Sequence, residues 1–339
     1  APQLTHLHCA TLASLCSAHQ ALNQHKPAVE IAQKCIALCL KDYPTLKYEL
    51  ATCYNTMGLC YITLHDYKKA NTNFEKALHI LWPKNGAPHR NAPNTISNIG
   101  LLHAKQQQYA EALVCYQKAH EVNVKWYGKQ HQSNAVRLTN LGEVYRHLAK
   151  YTQAKKHFED AINIYKTVYP NGHMNWAGTL NNLANVYNRL RKNEKAIELF
   201  NDAIVMSQIL AGKNNITAAH AYNNLGMLYT DNRQFELSLR HFLYAQEMYV
   251  AIFDSTHFTV AHTYSNICNL YIQKKNFTEA KKYYNLAFPI FKALKETKSL
   301  AALYLQISRA SIYAATNKPS QSIKLLLQVA EDFKKTIGL

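Results

Sequence analysis

Apolar positions recur along this chain at helical spacing, and a second, longer rhythm is laid over them. Steps of 42 from Gly58 reach Gly100, Gly142, Ala184, Gly226, Cys268 and Ala310, and one step back reaches Cys16. Three residues after each of these small anchors stand His19, Tyr61, His103, Tyr145, Tyr187, Tyr229, Tyr271 and Tyr313. Twelve after stand Ala28, Ala70, Ala112, Ala154, Ala196, Ser238, Ala280 and Ser322. Sixteen after, the middle six units give Phe74, Tyr116, Phe158, Phe200, Phe242 and Tyr284, and nineteen after they give Ala77, Ala119, Ala161, Ala203, Ala245 and Ala287. The register needs no gap. Self-similarity at a fixed period of this length is the mark of a repeat architecture.

Each unit reads as two helices. The first runs from about nine residues before the anchor to six after. Asn91, Ser133, Asn175, Thr217 and Thr259 stand nine before an anchor and are expected N-caps, because their side-chain oxygens accept orphan N–H groups of a first turn. A short turn follows, then a second helix such as Thr152 to Tyr169, with apolar residues at 3.6-residue spacing. Small residues let helix backbones approach, and aromatics fill the space between units. One pair cannot bury its own apolar face, so the units must stack. Pro289 falls in the second helix of the seventh unit and is expected to interrupt it. The terminal units depart from the pattern, with His19 and His25 at aromatic positions of the first and Pro319 and Ser322 in the last.

The recurring Gly, Tyr, Ala, Phe, Ala pattern resembles the tetratricopeptide repeat (TPR). The 42-residue period is similar to the kinesin light chain type, as is the segment TLNNLANVYNRLRKNEKAIELFNDAI at 179–204. The resemblance implies an all-α fold, a right-handed α-solenoid superhelix of about eight helix-turn-helix units, with residues 1–339 as one domain. It also implies that first helices line a concave groove. Helical geometry then places residues −6, −2, +1 and +5 from each anchor on one face. Asn98, Asn140, Asn182, Asn224 and Asn266 form a row in register at −2. A carboxamide both donates and accepts, so it can pair with a peptide backbone whatever the side chains. In TPR proteins such a row resembles a clamp for an extended peptide; the bland alternative is that it bonds to neighbouring helices. Asn185, Asn269, Met227 and Leu101 share the stripe. Lys105, Arg146 and Arg189 on or beside it suit an acidic ligand, Glu143 and Asp231 make it less than purely basic, and His220 and His262 would add pH dependence.

Other chemistry narrows the reading. The 38 Lys plus Arg against 21 Asp plus Glu give a formal charge of +17. Much of that surplus sits on turns and second helices, at Lys68, Lys69, Lys155, Lys156, Lys274, Lys275, Lys281 and Lys282. A nucleic-acid groove would gather it on first helices beside stacking aromatics. Eight Cys include no CxxC pair. Cys35 and Cys39 share a helix face, but a metal would need two more converging ligands, so the cysteines are expected to be small apolar fillers in a reducing cytosol. His89, His131, His173 and His257 stand eleven before an anchor, one per unit, which suits a loop or cap better than a metal. No phosphate-binding, dinucleotide, zinc-protease or nucleophile-elbow motif occurs, and no apolar run is long enough to span a membrane. The expectation is a non-catalytic adaptor without cofactor or metal. It would be cytoplasmic and would bind a protein or peptide with acidic residues. A peptide-sensing regulator and an RNA-binding array are the alternatives. With Ala1 rather than Met first, a longer protein is expected, a bacterial effector among the candidates.

Overall fold

In a computed structural model, residues 2–22, 24–41 and 46–337 are described. They contain sixteen α-helices and no strand. The chain divides into two compact units, Ala1–Val168 and Tyr169–Leu339. The first holds α1 (Pro2–Ala21), α2 (His25–Cys39), α3 (Lys47–Thr63), α4 (Tyr67–Leu81), α5 (Ala92–Lys105), α6 (Tyr109–Tyr127), α7 (Gln132–His147) and α8 (Tyr151–Val168). The second holds α9 (Met174–Arg189), α10 (Asn193–Ala211), α11 (Ile216–Asp231), α12 (Phe235–Ile252), α13 (Phe258–Gln273), α14 (Phe277–Ala293), α15 (Leu300–Ala315) and α16 (Pro319–Ile337). Odd-numbered helices contain the anchors and even-numbered ones the aromatic positions. Each pair packs closely, and each even helix inside a unit also packs on the next odd one.

The anchor and the aromatic sixteen residues later meet face to face. A Cβ built on Gly142 would come within 2.7 Å of the Phe158 ring, and one on Gly226 within 2.5 Å of Phe242. Those separations are below van der Waals contact, so the smallest residue is what lets the ring seat. Phe74, Phe158, Phe200 and Phe242 are almost wholly buried, as are the alanines at twelve and nineteen. Burying a large apolar side chain contributes about 1.5–3 kcal/mol, and the repeat delivers that increment unit after unit.

The turn inside each pair is equally regular. The N–H eight residues after the anchor donates to the carbonyl at +3, from Asp66 to Tyr61 through Lys318 to Tyr313, at 2.8–2.9 Å. The residue between, at +7, is left-handed: His65, Gln107, Ala149, Arg191, Arg233, Lys275 and Asn317 have φ of 56–62°. This is a Schellman-type stop made without glycine.

Two expectations are corrected. Ser133, Asn175, Thr217 and Thr259 lie inside the first turn; the caps stand two residues earlier, at −11. His131, His173 and His257 accept from the backbone N–H of Ser133, Asn175 and Thr259 through Nδ1. Asn215 and Ser299 take the same role in their units. Asn91 does sit at the N-cap position, without a side-chain cap bond; there His89 Nδ1 accepts from Asn91 N–H at 3.2 Å. The imidazole competes for the N–H because an aromatic ring holds it in place: His131 stacks on Tyr127, His173 on Tyr169 and His257 on Phe253, at 4.0–4.6 Å. Pro289, the second correction, lies within α14 without ending it. Pro289 and Asn285 are both exposed, so water can serve the carbonyl that loses its intrahelical partner.

Candidate functional site

The odd helices present a common polar stripe in each unit. In the first unit α1 packs beside α3 and α3 beside α5; in the second α9, α11, α13 and α15 lie in sequence. Anchor and −1 positions turn inward, while −2 and +1 stay half-open. Asn98, Asn140, Asn182, Asn224 and Asn266 are all partly exposed, as are Glu143, Arg146, Asn185 and Met227. Lys105, Arg189 and Asn269 are exposed.

The Asn row is tied to the scaffold as well as to solvent. Asn98 Nδ2 donates to Asn55 Oδ1, Asn224 to Asn181 and Asn266 to Asn223, each at 3.0 Å and each one repeat back. The acceptors stand at −3. Each bond occupies one N–H of the donor and leaves its carbonyl and second N–H for other partners. The arrangement therefore orients the carboxamides and explains why Asn is tolerated in mid-helix, where it is otherwise unfavourable.

The charged positions differ in what they touch. Arg146 forks onto Glu143, with contacts of 3.2 and 2.5 Å, and His147 lies 3.6 Å from the same carboxylate. Burial opposes ionised Glu143, but hydrogen bonds from His147 and Arg146 outweigh it and hold the pKa at about 2. Arg146 is thus partly neutralised, while Lys105 and Arg189 project from the ends of α5 and α9. In the second unit Tyr249 Oη and His220 Nδ1 are 2.7 Å apart. Burial lowers the pKa of His220; it also lowers that of His262, to which the neighbouring His220 adds.

Arg137 escaped the sequence reading. It is 6% exposed and donates to Asn94 Oδ1, and its Nε has no partner. Among the described residues no carboxylate pairs with it. Asn123, linked at 2.7 Å to Ser133 and to Asn134, forms a second buried polar cluster nearby in the chain. The only signal for either was a polar residue at a position otherwise held by small or apolar ones. A cleft of about 750 Å³ opens between α6 and α8 over α7, lined by His120, Tyr145, His157 and Asp160 among others. It lies away from the Asn stripe, and Tyr145 stacks on His157 there at 5.2 Å.

Models of the tetratricopeptide repeat match residues 91–167, 177–250, 51–80 and 261–288, together more than half of the chain. The chain belongs to the tetratricopeptide-repeat family. Among solved structures it is similar to the apo form of RapI, at 14% identity and TM-score 0.64, covering 85% of this chain and 99% of that one. It is similar to a Rap protein complexed with Competence and Sporulation Factor, at 14% and 0.62, covering 98% and 99%. The apo quorum sensor NprR from B. thuringiensis follows at 12% and 0.59, covering 96% and 98%. A putative kinesin light chain from Podosopora anserina with nearly identical TPR-like repeats gives 17% and 0.50, covering 62% and 99%. At these identities the likeness is one of fold. No curated protein matches the chain by sequence. Among the described residues no helix is long and apolar enough to cross a membrane.

Proposed function

We propose that the chain is a non-catalytic interaction scaffold whose odd-helix faces hold an extended peptide segment of a partner protein. The observation that carries this reading is the row of half-open asparagines at one register position, three of which, Asn98, Asn224 and Asn266, are oriented by bonds to the preceding repeat. A row of oriented carboxamides suits a ligand whose repeating feature is its own backbone. Lys105 and Arg189 add exposed positive charge at the end of two first helices, so acidic side chains are favoured in the ligand. Met227 and Leu101 offer apolar contacts. One structural neighbour is a Rap protein complexed with Competence and Sporulation Factor, which supports a ligand on this fold without naming one for this chain.

Selection from a displayed library of random peptides tests it. Enrichment of sequences bearing Asp or Glu, with binding that weakens only modestly between low and moderate salt, is the expected result. A library with no enriched sequence, together with single-stranded RNA binding that falls steeply with salt, would replace this reading by the nucleic-acid one.

A further inference from the structure

The first repeat breaks the packing rule of the others in a specific way. Where the middle units carry an aromatic at +16, it has Ala32. Cys35 replaces the alanine found at +19 in those units. Cys9 stands at −7, where Ala51, Ala135, Ala177, Ala219 and Ala261 stand in others. The ring is absent, and thiols stand at the neighbouring alanine positions.

Those sulfurs converge. The Sγ atoms of Cys9 on α1 and of Cys35 and Cys39 on α2 lie within 4.8 Å of one another. Cys53 on α3 neighbours Cys35 but stands outside that mutual distance. All four side chains are 0% exposed, and all are free thiols. The Cys35 and Cys39 sulfurs are 3.8 Å apart. A tetrahedral ion with metal–sulfur bonds of about 2.3 Å places its ligands about 3.8 Å from each other. Cys35 donates to the Cys9 carbonyl at 3.4 Å, as the buried Cys16 does to that of Ala28 at 3.2 Å, but only the Cys9, Cys35 and Cys39 sulfurs also gather on one another. Nearby in the cluster's field is the Glu49 carboxylate, which favours a cation there.

We propose that Cys9, Cys35 and Cys39 form a structural site for one thiophilic d10 cation, Zn²⁺, with Cys53 drawn in from α3 as the fourth ligand on binding, so that the ion staples α1, α2 and α3 together. Thiolates are the ligand class that selects such ions. Binding releases the thiol protons to solvent and ties the α1–α2 pair, which lacks the aromatic wedge of the middle repeats, to α3. A site without an open position has no role in catalysis. This inference is independent of what the odd-helix faces bind.

The test uses the intact chain, purified under reducing conditions with zinc and then dialysed. The expected content is about one zinc per chain. Cobalt replacement should give thiolate-to-metal charge transfer and the intense visible bands of a tetrahedral centre. Chelation should lower the melting temperature. Cys35→Ala and Cys9→Ala restore the residue that other repeats carry, so they are expected to fold and to lose at least tenfold in bound metal. Cys115→Ala and Cys268→Ala, outside the cluster, should retain it. Should the cluster variants fail to fold, the cobalt spectrum and the chelator melt of the unaltered chain decide alone. A chain that purifies metal-free, with these thiols reduced or in a disulfide and no melting shift on adding zinc, overturns the proposal. So does equal metal content in Cys35→Ala.

Discussion

At the residue scale the anchor and its ring behave as one packing unit. Phe158 is 0% exposed, so Phe158→Ala removes a whole ring and leaves a cavity against Gly142. The expected loss is about 3–5 kcal/mol, read by denaturant unfolding of the whole chain; a loss below about 1 kcal/mol would mean the site collapses freely. The caps are equally local. His131→Ala removes an acceptor for the first turn of α7 and is expected to cost about 1 kcal/mol, in the range of other caps. Sequence reasoning found the rings because only large aromatics fill that position. The histidines at −11 were legible as loop or cap residues, but the N-cap was expected at −9, because imidazole is not among the usual capping side chains and its role here depends on stacking partners such as Tyr127. Arg137 was invisible for a related reason: a guanidinium is expected at the surface until the structure shows it enclosed.

At the scale of the element, the turn after each odd helix depends on a left-handed residue that is not glycine. Ala149, with φ of 56°, pays a steric penalty of about 1–2 kcal/mol in that region, partly offset by the lower chain entropy it brings to the unfolded state. Ala149→Gly is therefore expected to stabilise the protein by about 0.5–1 kcal/mol; a lower melting temperature would show that the strain is relieved some other way. With no glycine at +7 in any unit, nothing in the residue types marked this position. The helix pairs themselves were legible to within one or two residues, as α7 and α8 show. The reason is that the 42-residue register repeats the same crossing contacts. The cysteine cluster was legible only in part: Cys35 and Cys39 stand at i,i+4 on one helix face, but only the fold brings Cys9 of α1 to them.

For the molecule as a whole, burial shapes the response to acid. Desolvation lowers the pKa of His89, His120, His157, His220, His241 and His262. The unfolded chain then takes up protons before the folded one as pH falls through about 6.5. Stability is fully present above that value and declines below it, down to the depressed folded values. The contribution of Glu143, whose pKa is held at about 2, is lost only at far lower pH. Thermal melts should be flat from pH 8 to 7 and drop from pH 6.5 to 5; a melting temperature constant across that lower range would contradict the assignment. The formal charge of +17 acts at this scale too. It bears on which partners approach, whereas the asparagine row bears on what is held.

The most direct test of that distinction is a calorimetric titration of a selected acidic peptide against the unaltered chain and against the double variant Asn182→Ala, Asn224→Ala, with circular dichroism on both. Both substitutions fall in the second compact unit. The expected result is unchanged helicity and binding weaker by about fivefold or more, since each lost carboxamide contact is worth about 0.5–1.5 kcal/mol. Equal affinity in the two proteins would contradict the account, because the peptide would then be held somewhere other than the asparagine-lined face.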